Sequence, residues 1–318
     1  MKKFLITGAT GYIGSMLIKY IRSTDDTSEI TALVRDPEKA KKLFPEGTKM
    51  IVADLCDEAV MRKIRYEGEY IIHCASVTKS AEMISRPVEV IQSIVNTTQN
   101  VLELAGRCNV KSMVYLSSME VYGNIDCSDG HRVSEEELGD IDIYNVRSCY
   151  PLGKRMAENI CYSYFKEYDI PVKSARLAQT FGEGVPLSDR RIFAQFANAV
   201  KEEKDIVLHT EGRSTGNYCG IHDAMNGILT ILIRGMNGQA YNVVNEENTM
   251  TIRQMAKLVA EEVAGGKIKV SFNIPRENAY GYAMDTGLRM SGEKLKKLGW
   301  KPTESLEQMY RKLLEYWG

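Results

Sequence analysis

The run Lys3-Phe4-Leu5-Ile6-Thr7-Gly8-Ala9-Thr10-Gly11-Tyr12-Ile13-Gly14 decides how the rest of the chain folds. Phe4, Leu5 and Ile6 make a short apolar strand, and Ile13, Leu17, Ile18 and Ile21 then recur at helical spacing. The strand must therefore turn straight into a helix. Gly8 has no Cβ and tolerates that turn. Gly11 lets the backbone approach an anion that the free N–H groups of the first helical turn attract. Gly14 lets the helix lie close on the strand. Three glycines so spaced between a strand and an amphipathic helix hold a dinucleotide pyrophosphate. The contacts expected here are Gly8, Thr10, Gly11, Tyr12, Ile13 and Gly14.

Outward from this run, strand and helix signals alternate. Strands are expected at Glu29–Val34, Met50–Ala53, Tyr70–Cys74, Ser112–Ser117 and Val172–Leu177. Helices are expected at Pro37–Phe44, Glu58–Ile64, Pro87–Cys108 and Pro151–Tyr168. This alternation implies a doubly wound parallel sheet, an α/β Rossmann architecture with helices on both faces. Ligands bind such a sheet beyond the carboxyl ends of its strands. The glycine turn, Asp54 with Leu55, Cys74-Ala75-Ser76 and Ser117-Ser118 all fall at those ends. After residue 178 the rhythm changes. Loop-rich segments at Phe181–Arg190, Thr210–Gly220 and Ile274–Gly287 separate helices at Ile192–Glu202, His222–Arg234, Ile252–Ala264 and Ser305–Trp317. The expected division is a dinucleotide-binding domain over 1–178 and a smaller, mainly substrate-binding lobe over 179–318. Segments around 221–245 are expected to pack back on the first domain.

Composition narrows the class. A formal net charge of −1 over 318 residues argues against a nucleic-acid or membrane-surface binder. No apolar run is long enough to span a bilayer, and Met1-Lys2-Lys3 leads into the glycine turn where a signal peptide needs an apolar core. The seven cysteines contain no C-x-x-C pair and read as free thiols of a cytoplasmic protein. The four histidines do not pair at metal-ligand spacing, so no metal site is expected.

Tyr150-Pro151-Leu152-Gly153-Lys154 places a phenol and an ammonium four residues apart, on one face of a helix. A tyrosine with a pKa of about 10 needs a nearby positive charge to act as a base near neutrality. Lys154 supplies one. The strand Val114-Tyr115-Leu116-Ser117-Ser118 delivers hydroxyls at its carboxyl end, where Ser118 can bind the oxygen that Tyr150 deprotonates and Ser117 supports the cofactor side. Cofactor identity turns on Leu33-Val34-Arg35-Asp36-Pro37. Such strands usually end in an acid that holds the ribose hydroxyls, but Val34 takes that position here. Arg35 suits a 2′-phosphate, and Asp36 is placed to cap the helix begun by Pro37. NAD and NADP both stay open, with Arg35 leaning toward NADP.

These motifs, in this order, resemble the extended short-chain dehydrogenases of the NAD-dependent epimerase/dehydratase family, which act on nucleotide sugars. Further matches are Asn96 with Asn100-Val101-Leu102-Glu103, Arg176, Phe181-Gly182 and Lys297-Leu298-Gly299-Trp300-Lys301-Pro302. Arg147-Ser148-Cys149-Tyr150 with Gly153-Lys154-Arg155 is similar to the UDP-glucuronate decarboxylases. The resemblance implies that Tyr150 is the base, that Lys154 holds the nicotinamide ribose, that Ser118 binds the reacting oxygen, and that Asn96 is on the cofactor side. It also places Glu120 over the sugar. The 4,6-dehydratases carry Asp-Glu where this chain has Met119-Glu120, which disfavours water elimination. Gln179 stands where the family has asparagine. Gly216 stands where many relatives carry a diphosphate-gripping arginine, with Arg213 and Arg191 as candidate substitutes. His209 takes a position where relatives present an aromatic to the base.

The resemblance implies an NAD(P)-dependent enzyme that transiently takes a hydride from a nucleotide sugar. Epimerase, decarboxylase and ketosugar reductase chemistry are open. A non-catalytic dinucleotide-binding redox sensor is the alternative of another class, disfavoured by intact Ser118, Tyr150 and Lys154. The implied homodimer pairs through the helices at Pro87–Cys108 and Pro151–Tyr168.

Overall fold

The opening run forms β1 (Lys3–Thr7), which pairs in parallel with a strand on each side and so lies inside a seven-stranded sheet. The other strands, in chain order, are β2 (Glu29–Val34), β3 (Lys49–Val52), β4 (Tyr70–His73), β5 (Ser112–Ser118), β6 (Val172–Leu177), β7 (Gln179–Phe181), β8 (Ile206–Leu208), β9 (Thr215–Gly220), β10 (Ala240–Val243), β11 (Asn245–Thr251) and β12 (Val270–Phe272). The helices are α1 (Tyr12–Thr24), α2 (Pro37–Leu43), α3 (Glu58–Met61), α4 (Ser80–Ser85), α5 (Pro87–Arg107), α6 (Cys149–Tyr168), α7 (Ile192–Lys201), α8 (Ile221–Arg234), α9 (Ile252–Leu258), α10 (Glu293–Lys296) and α11 (Leu306–Trp317). This computed structural model describes residues 1–275 and 285–318, so residues 276–284 of the expected loop 274–287 lie outside the described residues.

The large sheet runs β10-β6-β5-β4-β1-β2-β3 with all strands parallel. Strand order reverses between β1 and β4, where a doubly wound sheet opens a ligand crevice. Alternation along β1 sorts the two cores. Phe4 and Ile6 pack with Leu17, Ile18 and Ile228 on the face covered by α1 and α8. Leu5 packs with Ile94, Leu102, Tyr115 and Ala157 on the face covered by α5 and α6. Both faces of the inner strands are buried, so β1, β2 and β4 are mostly apolar. A third cluster joins Phe181, Phe193, Tyr218, Met255 and Tyr310 in the C-terminal part, around the small sheet β11-β9-β7.

The expected doubly wound architecture is the one observed. Several elements depart from expectation. Residues 215–220, expected as loop, form the fully buried strand β9, because pairing with β7 and β11 overrides its two glycines. The helix expected to reach Ile64 stops at Met61. The helix expected from Pro151 starts at Cys149. The expected helix over 252–264 is α9 followed by a π-type turn at Val259–Val263. β10 pairs with β6 as an edge strand of the large sheet, and α8 packs against α1, β5 and β6. Trp300 is buried and donates Nε1–H to the Asp223 carbonyl at 3.0 Å, which ties the Lys297–Pro302 motif to α8 as a packing element. Among the described residues no helix is long and apolar enough to cross a membrane.

Candidate active site

At the glycine turn, Gly8 and Gly14 are held to that identity by the backbone around them. Gly8 has φ +62°, and a Cβ there would lie 2.6 Å from the Ala75 nitrogen. A Cβ on Gly14 would lie 2.5 Å from the Gly8 carbonyl oxygen. Gly11 donates its N–H to that same carbonyl at 2.9 Å and faces solvent. No side chain caps α1, so its first-turn N–H groups point outward beside a cradle that a Cβ would fill. Thr10, Ile13 and Cys74-Ala75-Ser76 border the turn half-buried. Tyr12 leans the other way, donating its hydroxyl to the Glu183 carbonyl at 3.2 Å. Burial pushes its phenol up.

The neighbouring strand ends are open on one side. Val34 is buried at the end of β2, and Arg35 projects into solvent with no hydrogen bond or ion pair among the described residues. Asp36 Oδ1 accepts the Lys39 N–H at 3.0 Å, so this acid is committed to capping α2. Beyond β3, exposed Asp54 accepts the Cys56 N–H at 2.9 Å, and the carbonyl of buried Leu55 accepts from Asn100 Nδ2 at 2.7 Å. Asn96 lies one turn before Asn100 on α5, exposed and without a hydrogen bond.

The candidate reacting groups converge where β5 meets α6. Buried Lys154 donates Nζ to the Leu116 carbonyl at 2.7 Å and sits 4.7 Å over the Tyr115 ring and 5.8 Å from the Tyr150 ring centre. Burial lowers Lys154 to about 8. Tyr150 is only 6 % exposed, and burial followed by the Glu120 charge pushes its phenol up, while hydrogen bonding to Ser118 and the charge of Arg147 pull it down. Gly153 brings α6 against α5, where a Cβ would stand 3.1 Å from Ile94. The Ser118 hydroxyl accepts the Glu120 N–H at 3.2 Å, and the hydroxyl of buried Ser117 has no partner. An orphaned buried hydroxyl costs free energy unless a ligand satisfies it. With the glycine cradle, it fits a bound dinucleotide.

Supporting groups lie behind. His73, at the end of β4, is buried, holds Thr7 Oγ1 at 2.6 Å and is lowered to about 3, by burial first and then by the Lys154 charge. Tyr122 donates to Asn242 Oδ1 at 2.6 Å and accepts from Arg176 Nη1 at 3.1 Å. Arg176 also grips Glu158 at 2.7 Å, which anchors the turn after β5. Sequence reading did not single out Arg147 as a site residue. Its guanidinium holds both oxygens of Glu120, at 2.7 Å and 2.9 Å, across 27 residues of sequence. The pairing has no local signal, and the Arg-Ser-Cys-Tyr block pointed only to a subfamily.

The substrate-side candidates are less gathered. Gln179 Oε1, on β7, is buried without a partner. Arg191 is held by Asp189 through Nη2–Oδ2 at 2.6 Å and lies 4.7 Å over the Phe193 ring. His209 meets the Asn273 carbonyl at 3.1 Å. Arg213 is exposed after Gly212 and makes no hydrogen bond or ion pair among the described residues. At Gly216 a Cβ would lie 2.3 Å from the Tyr218 hydroxyl, so the tyrosine fills the space a larger residue would need. Among the described residues no cluster of histidine, cysteine or acidic side chains could hold a metal.

The fold and site define a dinucleotide-binding α/β protein with a Ser-Tyr-Lys constellation at the end of its sheet. The chain belongs to the NAD dependent epimerase/dehydratase family, whose model matches residues 4–245, and it is an enzyme of that NAD-dependent family. It is 28 % identical to UDP-glucuronic acid decarboxylase 1 of Xenopus tropicalis over 99 % of this chain and 72 % of that protein. It is 27 % identical to UDP-glucuronic acid decarboxylase 3 of Arabidopsis thaliana over 86 % of this chain and 78 % of that one. Among solved structures, UDP-glucose 4-epimerase of Thermotoga maritima superposes with a TM-score of 0.84 at 20 % identity, covering 99 % of this chain and 98 % of that one. A dTDP-glucose 4,6-dehydratase of Bacillus anthracis, in complex with NAD, gives 0.80 at 18 % identity over 100 % and 96 %. At these identities the structures speak to the fold.

Proposed function

We propose that this enzyme transiently oxidises the sugar of a nucleotide sugar, with Tyr150 taking the proton of the reacting hydroxyl. The observation that carries this reading is the convergence of Ser118, Tyr150 and Lys154 at the carboxyl end of β5. Ser118 binds the reacting oxygen, and the Lys154 ammonium stabilises the developing phenolate. Glycines 8, 11 and 14, with Thr10, Tyr12, Ile13, Arg35, Asp54, Leu55, Cys74, Ala75, Ser76, Asn96 and Ser117, are the residues that would hold NAD or NADP. When bound, the nicotinamide supplies the hydride acceptor and a positive ring that adds to the Lys154 charge. Exposed Arg35, beside apolar Val34 and an Asp36 already used as a cap, supports NADP.

Gln179, whose buried oxygen has no partner among the described residues, and exposed Arg213 are our candidates for the substrate side. Epimerisation is the leading reading. Decarboxylation of a nucleotide-linked uronic acid is the second, favoured by Glu120 clamped beside Tyr150 and by the decarboxylases to which the chain is similar over most of its length. The apolar side chains of Ile84, Val88 and Ile91, exposed along α4 and α5, support a homodimer through α5 and α6. The free thiols support a cytoplasmic setting.

The test incubates the protein with NAD or with NADP, together with UDP-glucose or UDP-glucuronate, and reads products by mass spectrometry with chromatography. An isomer supports epimerisation, and loss of carbon dioxide supports the second reading. Steady accumulation of reduced nicotinamide, matched by a ketosugar product, would instead mark a reductase running in its oxidative direction. Binding of the dinucleotide with no turnover of either nucleotide sugar would contradict the proposal.

A further inference from the structure

Glu120 donates its N–H to the Ser118 hydroxyl that also bonds Tyr150, and its charge opposes ionisation of the phenol. A free carboxylate there would hold Tyr150 protonated. The structure answers this with Arg147, which the short 3-10 turn Val146–Ser148 presents immediately before α6. Asn145 Oδ1 accepts the Arg147 N–H at 2.9 Å and fixes that turn. The guanidinium then meets the carboxylate side-on, Nη1 to Oε2 at 2.7 Å and Nη2 to Oε1 at 2.9 Å. Two parallel charge-assisted bonds fix orientation as well as charge, in a way one ammonium does not reproduce. Arg147 is itself held in its charged form, chiefly by the bond to Glu120.

We propose that Arg147 is a positioning residue for the reaction, clamping Glu120 beside Tyr150 so that the carboxylate stays oriented toward the sugar while its charge on the phenol is cancelled. This rests on the reading of Tyr150 as the base. Both carboxylate oxygens are engaged, so Glu120 serves as an oriented acceptor and not as a free acid while the clamp is closed. The groups that face Tyr150 are Ser118 and Glu120 from the turn after β5, Tyr115 from β5, Arg147 from the 3-10 turn and Lys154 from α6. Of these, the Glu120–Arg147 pair is the one in which removing a single member changes the net charge at the phenol by one unit without touching the Ser-Tyr-Lys constellation.

The experiment titrates the near-ultraviolet phenolate absorbance of the NAD-saturated protein, using Tyr150→Phe as the subtracted baseline, alongside the pH profile of kcat for turnover of UDP-glucuronate. Arg147→Met raises the Tyr150 midpoint by roughly one unit, about tenfold less phenolate near neutrality, and moves the acid limb of kcat equally. Glu120→Gln, which leaves Arg147 in place, lowers the midpoint. The double variant returns it near wild type. Arg147→Lys keeps the midpoint but lowers kcat, because charge is retained and side-on orientation is lost. An unchanged midpoint in both Arg147→Met and Glu120→Gln overturns the clamp while Tyr150 remains the base. A Tyr150→Phe protein that titrates like wild type and turns over substrate overturns the underlying reading instead.

Discussion

Gly14→Ala tests the cofactor cradle with opposing terms of known sign. Gly14 lies inside α1, where alanine is the better helix former by about 1 kcal/mol. Helix propensity alone therefore predicts stabilisation. The added Cβ, however, would stand 2.5 Å from the Gly8 oxygen and 2.8 Å from the Ala9 Cα. Both are backbone atoms of the turn itself, so no flexible side chain can yield. Overpacking of this kind costs roughly 1–3 kcal/mol, and a contact this short calls for the upper half of that range. The net expectation is a loss of about 1–2 kcal/mol in urea denaturation, opposite in sign to propensity. The relaxation must displace the Gly8–Ala9 turn, so NAD affinity by titration calorimetry falls about tenfold or more, equivalent to about 1.4 kcal/mol. Gly287→Ala, with no neighbour within 4 Å, is the control and changes neither quantity. A Gly14→Ala protein as stable as wild type with unaltered NAD affinity would refute the close approach of α1 to the turn.

Other predictions follow from single groups. Arg35→Ala should weaken NADP binding and leave NAD binding unchanged, measured by fluorescence titration; unchanged NADP affinity would remove the case for a 2′-phosphate site. His73 is kept neutral by burial, so between its ordinary value near 6.5 and its folded value near 3 the unfolded chain takes up a proton that the native protein does not. Stability should fall as pH drops through that window, and the His73→Asn variant should show a slope shallower by up to about 1.4 kcal/mol per pH unit in urea denaturation. Equal slopes would place the titration elsewhere. Ile91→Glu puts a charge on the exposed face of α5 and should convert a dimer to a monomer in light scattering; a wild-type protein that is already monomeric would contradict the α5–α6 pairing.

What could be read from the chain divides along a physical line. The glycine turn was legible because its requirements are local: a positive φ at Gly8 and close backbone approach at Gly14 fall within one strand-turn-helix unit. That Ser118, Tyr150 and Lys154 come together was legible because order along the chain and helical spacing bring a strand end and one helix face to the same place. The Asp36 cap was legible from its neighbour Pro37. Tertiary pairings were not. Arg147 reaches Glu120 only after β5 and α6 are docked, and His73 reaches Thr7 only after β1 and β4 pair. β9 looks like loop in sequence, since Gly216, Asn217 and Gly220 carry no strand preference. Its burial comes from β7 and β11, and Tyr218 fills the space beside Gly216 in a way no spacing announces. Arg191 likewise gave no sign that Asp189, two residues earlier, would occupy it.

Turnover of Tyr150→Phe reads out whether Tyr150 performs proton transfer in a dinucleotide-dependent reaction on a nucleotide sugar. The substitution removes one hydroxyl, and the ring remains packed against Lys154. The account predicts a folded protein with wild-type NAD affinity and turnover of UDP-sugars reduced by at least about a hundredfold. Turnover equal to wild type, with the same NAD affinity, would contradict it.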